Sequence, residues 1–248
     1  MKKNKKKFFQ FKKTKKCPIC KSKKLNFISN IKSEIKEINS NFGLIKCKNC
    51  LHRTISKFPK EKFLKNLYKN DSPLVFGGDH SELNQKMKFI HGKFFKVDTY
   101  NNHWVFQYLD KKKGNYFELG PGLCRLYKTF FKMGWKCQGL ELRSFIKAPG
   151  IKKNMNQISL KKDVAVAFDV LEHVIDPIEY LKIINKKMKK GGKIFLTFPH
   201  SESFKSKILK DKWSMVSPLA HIHYFSKKST EIMMKNSGYK ILLVKDFS

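Results

Sequence analysis

The chain has 248 residues, 41% of them apolar and 22 of them phenylalanine. That is enough for one sizeable core plus a small extra module, and too apolar for wholesale disorder. With 54 basic and 19 acidic residues the formal charge is +35, a field that draws polyanions such as RNA, anionic head groups or nucleotide-linked substrates.

Apolar runs stay short of the roughly 18 residues that cross a bilayer. The Lys-rich start lacks the roughly 7–15-residue apolar stretch of a secretory signal, so the expectation is a cytoplasmic protein. Only Arg53, Arg125 and Arg143 are arginines. An AT-rich coding sequence accounts for lysine over arginine better than it accounts for the shortage of acid.

In chain order, residues 1–16 read as a solvated basic tail and residues 17–58 as a module holding two cysteine pairs. Residues 59–248 form the main domain, opened by a helical lead-in over 59–113. Phe63, Leu64 and Leu67 mark one amphipathic segment of that lead-in, and Trp104, Val105, Tyr108 and Leu109 another, with Gly77-Gly78 a break between them.

After Gly114 strands and helices alternate. Strands are expected at Tyr116–Leu119, Lys136–Leu142, Asp163–Phe168, Lys193–Phe198 and Tyr239–Val244. Helices are expected at Leu126–Met133, Ile178–Met188 (capped by Gly191-Gly192) and Ser229–Asn236. The run DVAVAF is apolar enough for a strand buried on both faces. This order predicts an α/β fold, a Rossmann-like doubly wound sheet, with the cysteine module as a zinc-ribbon-like addition.

Cys17-Pro-Ile-Cys20 and Cys47-Lys-Asn-Cys50 each place two thiolates on one tight turn. Two such turns complete the tetrahedral site that zinc prefers, and four thiolates leave no open position. The expectation is a structural Zn2+ held by Cys17, Cys20, Cys47 and Cys50. It would fold a segment too small for its own core. His52 stands close enough in sequence to compete as a ligand, with a solvated histidine its plainer reading, and buried or redox cysteines are the plainer alternative for the thiols.

Phe117-Glu-Leu-Gly-Pro-Gly-Leu-Cys124 places glycines after a strand and before a helix, where backbone N–H groups can approach a ligand. Nineteen residues beyond Gly122, Glu141 ends the second strand, where a carboxylate can accept ribose hydroxyls. Order and spacing together make the signal, since Gly-rich turns alone are common.

With these residues the sequence resembles the class I S-adenosylmethionine-dependent methyltransferases. Glu118, Gly120 and Gly122 match the family's first motif, and Glu141 matches its ribose-binding acid. The stretch Ala167-Phe-Asp-Val-Leu-Glu-His-Val-Ile-Asp-Pro177 looks like its fourth-strand motif. The resemblance implies that Glu118, Gly120, Gly122, Glu141 and Asp169 bind S-adenosylmethionine, with Glu118 at the methionine end.

Trp213, His221-Ile-His-Tyr-Phe-Ser226 and Gly238-Tyr239 resemble one subgroup that carries an N-terminal cysteine-pair module. Its members are associated with modifying sugars, glycans or other small metabolites. Two departures stand out. Cys124 replaces the motif's third glycine, and 21 residues between Glu141 and Asp163 are too few for a full helix and a third strand of usual length. Asn156 or Gln157 is the candidate polar contact for the adenine.

Methyl transfer needs donor and acceptor aligned and, for a hydroxyl acceptor, a proton removed. His173, His200, His221 and His223 all fall near carboxyl ends of strands and are the base candidates, with helix capping or packing the plainer role for each. Glu172 is open to either reading, and Trp213 and Tyr224 are candidates for a pocket wall.

Three functions remain open. The first is methylation of a small, anionic metabolite such as a sugar or glycan precursor. The second is methylation of RNA gripped by the basic module, and the third is a non-catalytic binding protein on a degenerate scaffold.

Overall fold

The computed structural model describes residues 11–33, 41–69, 103–110, 113–143 and 146–246. Most of the basic tail, the Gly77-Gly78 break and the middle of the lead-in lie outside the described residues.

The amino-terminal part holds β1 (Phe11–Lys13), β2 (Leu25–Ile31), β3 (Phe42–Cys47), β4 (Arg53–Ile55) and β5 (Lys57–Pro59), followed by helix α1 (Glu61–Lys69). β1 pairs with β5, and β2, β3 and β4 form an antiparallel meander. Glu61 sits in the first turn of α1 and pairs with Lys65 one turn on. The second amphipathic segment of the lead-in closes as a single 3-10 turn, Trp104–Tyr108, with His103 as its cap and Val105 buried.

The main sheet comprises β6 (Asn115–Leu119), β7 (Lys136–Leu140), β8 (Ile151–Lys152), β9 (Lys162–Phe168) and β10 (Met188–Thr197). Its order is β10-β9-β6-β7-β8 and every pairing is parallel. Counted in chain order the strands run 5-4-1-2-3, the reversal about the first strand that defines a doubly wound sheet.

Helix α2 (Arg125–Lys132) follows β6 and α3 (Pro177–Lys187) follows β9. Asp176 caps α3 by accepting from Glu179 N, with Pro177 at the first helical position, where a missing N–H costs nothing. Beyond β10 come α4 (Phe204–Leu209), β11 (His223–Tyr224) and α5 (Lys227–Asn236).

A core layer lies against β6, where the Tyr116 ring stacks on Phe130 at 3.9 Å and Trp135 meets Phe130 edge-on. The other face buries Phe117, Leu119, Ala165 and Ala167 against Ile184 of α3. No helix among the described residues is long and apolar enough to cross a membrane.

The short stretch between Glu141 and Asp163 holds, as its length implied, a third strand of two residues; among the described residues no helix stands between β7 and β8, and only a 3-10 turn, Met155–Gln157, precedes β9. Two features differ from the sequence reading. Gly191-Gly192 does not cap α3. That helix stops at Met188, and the glycines sit in an irregularity of β10 between Met188 and Lys193.

The strand expected at Tyr239–Val244 does not form. Residues 239–246 are irregular, and among the described residues no strand pairs with this apolar run, so Leu242, Leu243 and Val244 are exposed.

The cysteine module and the main domain share a sheet. β11 adds to the edge of β4, giving the order β11-β4-β3-β2, with His223 opposite Thr54. Thr54 Oγ1 donates to Ile222 O at 2.6 Å and Ser226 Oγ donates to Cys50 O at 2.6 Å, both buried.

Candidate functional site

The two cysteine turns have the same geometry. Lys21 N donates to Cys17 O at 3.0 Å and Leu51 N donates to Cys47 O at 3.0 Å. Lys21 and Leu51 both adopt left-handed conformations, with φ of 59° and 61°. Cys17 Sγ lies 3.5 Å from Cys50 Sγ, Cys20 Sγ lies 3.5 Å from Cys47 Sγ, and all four sulfurs fall within 4.8 Å of one another. Zinc–sulfur bonds of about 2.3 Å in a tetrahedron set sulfurs roughly 3.8 Å apart, so the cluster has the size of such a cation site. The hydrogen bond with Cys50 is the main cause that lowers the Cys17 thiol.

His52 lies outside the sulfur cluster and, contrary to the solvated state expected, is buried. Its Nε2 is 3.1 Å from Nδ1 of His223, whose Nε2–H donates to Val174 O at 2.9 Å. A carbonyl only accepts, so this proton fixes the tautomer of His223 and makes His52 the donor between the rings. Both imidazoles are fully buried, and burial pushes His223 down to about 4. The structure therefore places His223 in the seam between module and main domain, with both ring nitrogens engaged.

The second cluster lies at the carboxyl ends of β6, β7, β9 and β10. Gly120 and Gly122 have φ of 65° and 52°, which side chains rarely adopt. A Cβ on Gly120 would stand 2.8 Å from Val170 Cγ2, whereas one on Gly122 would meet Arg143 Nη2 at 3.8 Å, an ordinary contact. Cys124 is also left-handed, at 59°, as the cap of α2. It holds a glycine's conformation with its thiol buried and donating to Gly122 O at 3.6 Å.

Two buried carboxyl groups flank this turn, Glu118 at 6% exposure and Glu141 at 4%. Tyr116 OH donates to Glu118 Oε2 at 2.7 Å. Burial, with Glu141 nearby, still raises the Glu118 carboxyl to about 7.

Glu141 accepts from Arg143 N and Nε on one oxygen, at 3.0 and 3.1 Å, and from NH2 on the other at 3.0 Å. The sequence reading missed Arg143. Its signal was its rarity, one of three arginines, two residues beyond the ribose-type acid. Asn154 and Gln157 spend their side chains on a reciprocal cap of the 3-10 turn, and Asn156 is exposed there.

Asp169, left-handed at 52°, ends β9, where its Oδ1 accepts from Thr197 Oγ1 at 3.1 Å. Beyond it Glu172, His173 and His221 come together, with the two imidazole centroids 4.8 Å apart. Burial pushes His173 down to about 3, with His221 adding to the shift, and it lowers His221 too.

His200 sits apart from this pair. It bridges to Phe225 and is half exposed, with Glu202 and Asp246 each 3.7 Å from its ring. Trp213 and Tyr224 pack in one core cluster with Leu44 and Ile55 of the module.

A parallel sheet that reverses at its first strand, with a glycine turn and acids at its carboxyl edge, defines the Rossmann-like class of cofactor-binding folds. The model of a methyltransferase-domain family matches residues 82–244. The chain belongs to that family, and with this fold and motif it is an S-adenosylmethionine-dependent methyltransferase.

Solved structures of similar course include an S-adenosylmethionine-dependent methyltransferase from Mesorhizobium loti (15% identity, TM-score 0.42, covering 54% of this chain and 78% of that one). A phosphoethanolamine N-methyltransferase of Haemonchus contortus, with phosphomonomethylethanolamine and S-adenosylhomocysteine, has 15% identity and TM-score 0.42. That match covers 85% of this chain and 55% of that one. A Thermotoga maritima methyltransferase has 18% identity and TM-score 0.39, covering 65% of this chain and 79% of that one. No curated protein matches the chain.

Proposed function

We propose that the chain methylates a small, anionic metabolite, with S-adenosylmethionine lying across the glycine turn between Glu118 and Glu141. One observation supports this most directly. Two buried carboxyl groups flank a left-handed Gly120–Gly122 turn, where a Cβ would clash with Val170 at the first glycine and stand beside Arg143 at the second. When bound, the sulfonium supplies an activated methyl group.

Ionised Glu118 would pair with the ammonium of the methionine end. Glu141, oriented by Arg143, keeps a lone pair on Oε2 for a ribose hydroxyl, since a carboxylate has about four acceptor sites and Arg143 fills three. Gly120 and Gly122 admit the cofactor close to the backbone, and Asp169 stands at the neighbouring strand end. His173 and His221 belong to the acceptor side, kept neutral by burial.

The charge of +35 favours an anionic acceptor such as a sugar or glycan precursor. Residues 17–58 act as a structural zinc module, held by Cys17, Cys20, Cys47 and Cys50, and residues 59–248 carry the chemistry. The four-sulfur cluster and its twin turns support the zinc.

The test supplies methyl-labelled S-adenosylmethionine and zinc-loaded protein to a host extract split into RNA and small-molecule fractions. Label in small molecules is expected. Label in nuclease-sensitive material overturns the metabolite reading in favour of RNA, and none in either favours a degenerate scaffold.

A further inference from the structure

We propose that Glu172, His173 and His221 bind a divalent first-row metal ion beside the cofactor turn, separate from the cysteine site. Glu172 carries the observation that points to a ligand. It is 0% exposed, and neither carboxylate oxygen meets a hydrogen-bond partner among the described residues. A buried carboxylate without partners costs several kcal/mol or stays protonated unless a cation joins it.

One histidine is already prepared as a ligand. His221 Nδ1 contacts Met215 O at 2.7 Å, and a carbonyl can only accept, so its proton rests on Nδ1 and its lone pair on Nε2. The His173 ring meets the backbone of both Ala220 and Asp169. An imidazole whose far N–H is tied to a backbone carbonyl is the usual orientation of a metal-bound histidine. His173 Nε2 is 3.8 Å from Glu172 Oε1, and one donor atom from each of the three residues falls within 4.8 Å of the others. Bonds of about 2.0–2.2 Å in a tetrahedron set ligands roughly 3.4 Å apart, so closure draws the donors together by up to about 1.4 Å.

The backbone holds the cluster together, because Ile222 N and His223 N both donate to Glu172 O. Two imidazoles and one carboxylate suit a first-row ion better than Mg2+ or Ca2+, and three protein ligands leave positions open. Asp169 is near enough to act electrostatically on Glu172 and His221, and Arg143 on His173. The cluster thus lies at the neighbourhood of the glycine turn. An acceptor oxygen bound in an open position would lose its proton more readily, a role that rests on the methyl-transfer reading. Cation binding itself does not.

Mn2+ is the probe, added to protein carrying one zinc per chain, which the four thiolates hold more tightly than two imidazoles and a carboxylate would. Electron paramagnetic resonance of free Mn2+ during titration, without S-adenosylmethionine, should show one ion taken up per chain. Glu172→Gln and His221→Gln should each weaken uptake by more than about 100-fold, beyond the cost of losing an outer-shell partner, at unchanged zinc content. Within the wild type, substoichiometric Mn2+ should broaden the His173 and His221 imidazole resonances before the other imidazoles. Equal uptake by wild type and both variants, no uptake by the wild type, or broadening that starts elsewhere would overturn the proposal.

Discussion

Replacing Glu118 with glutamine separates stability from cofactor binding at one buried group. Its carboxyl is raised from 4.5 to about 7, chiefly by burial. A raised carboxyl makes the folded state the better proton binder between those values, so its stability contribution falls as pH climbs from about 4.5 through 7. At about 1.4 kcal/mol per pH unit, the wild type carries an order-of-magnitude penalty of 1–2 kcal/mol at pH 5.5 and about 3 kcal/mol at pH 8.

Glutamine keeps an oxygen for the Tyr116 hydroxyl and has no charge to bury. Urea unfolding should therefore show Glu118→Gln gaining about 2 kcal/mol on the wild type between pH 5.5 and pH 8, other titrations cancelling in the difference. The same variant should bind S-adenosylhomocysteine at least tenfold more weakly at pH 8, having lost the partner for the ammonium. A variant that is less stable than wild type at pH 8, or a difference that does not move with pH, refutes the reasoning.

Gly120→Ala and Gly122→Ala each take on the left-handed cost of about 1–2 kcal/mol. Only the first also meets Val170, so urea should find it the less stable, while calorimetry should show Gly122→Ala folded and at least tenfold weaker for S-adenosylhomocysteine. Cys50→Ser or a strong chelator should abolish hydrogen-exchange protection over residues 42–55 and, through the shared sheet, at His223 and Tyr224. Asn115–Leu119 should stay protected. His223 has the opposite sign to Glu118. With its folded value near 4, it contributes stability above about 6.5 that is lost as pH falls toward 4, so His223→Gln should flatten the acid limb of a thermal-denaturation profile by up to about 3 kcal/mol.

The parts of the molecule written in short stretches of sequence were legible. Paired C-x-x-C turns, the Gly-Pro-Gly turn and the buried DVAVAF strand each carry their own local signal, and the structure puts them where periodicity and turn chemistry say. Contacts between distant segments were not legible. Nothing in His221-Ile-His-Tyr announces that His223 and Tyr224 complete the cysteine module's sheet against Arg53 and Thr54. Glu172 and His221 are 49 positions apart, and only the fold places the buried carboxylate beside two oriented imidazoles.

Tyr239–Val244 failed for the converse reason. Its apolar residues have strand propensity, but a strand needs a partner edge, and none among the described residues pairs with them.

The central claim is that the turn between Glu118 and Glu141 binds S-adenosylmethionine. Calorimetric titration of S-adenosylhomocysteine into zinc-loaded wild type and Glu141→Ala tests it most directly, with exchange protection of Asn115–Leu119 checking that both are folded. One site per wild-type chain, weakened at least tenfold in the variant, is the predicted result. No binding to the wild type, or equal binding by both proteins, would contradict it.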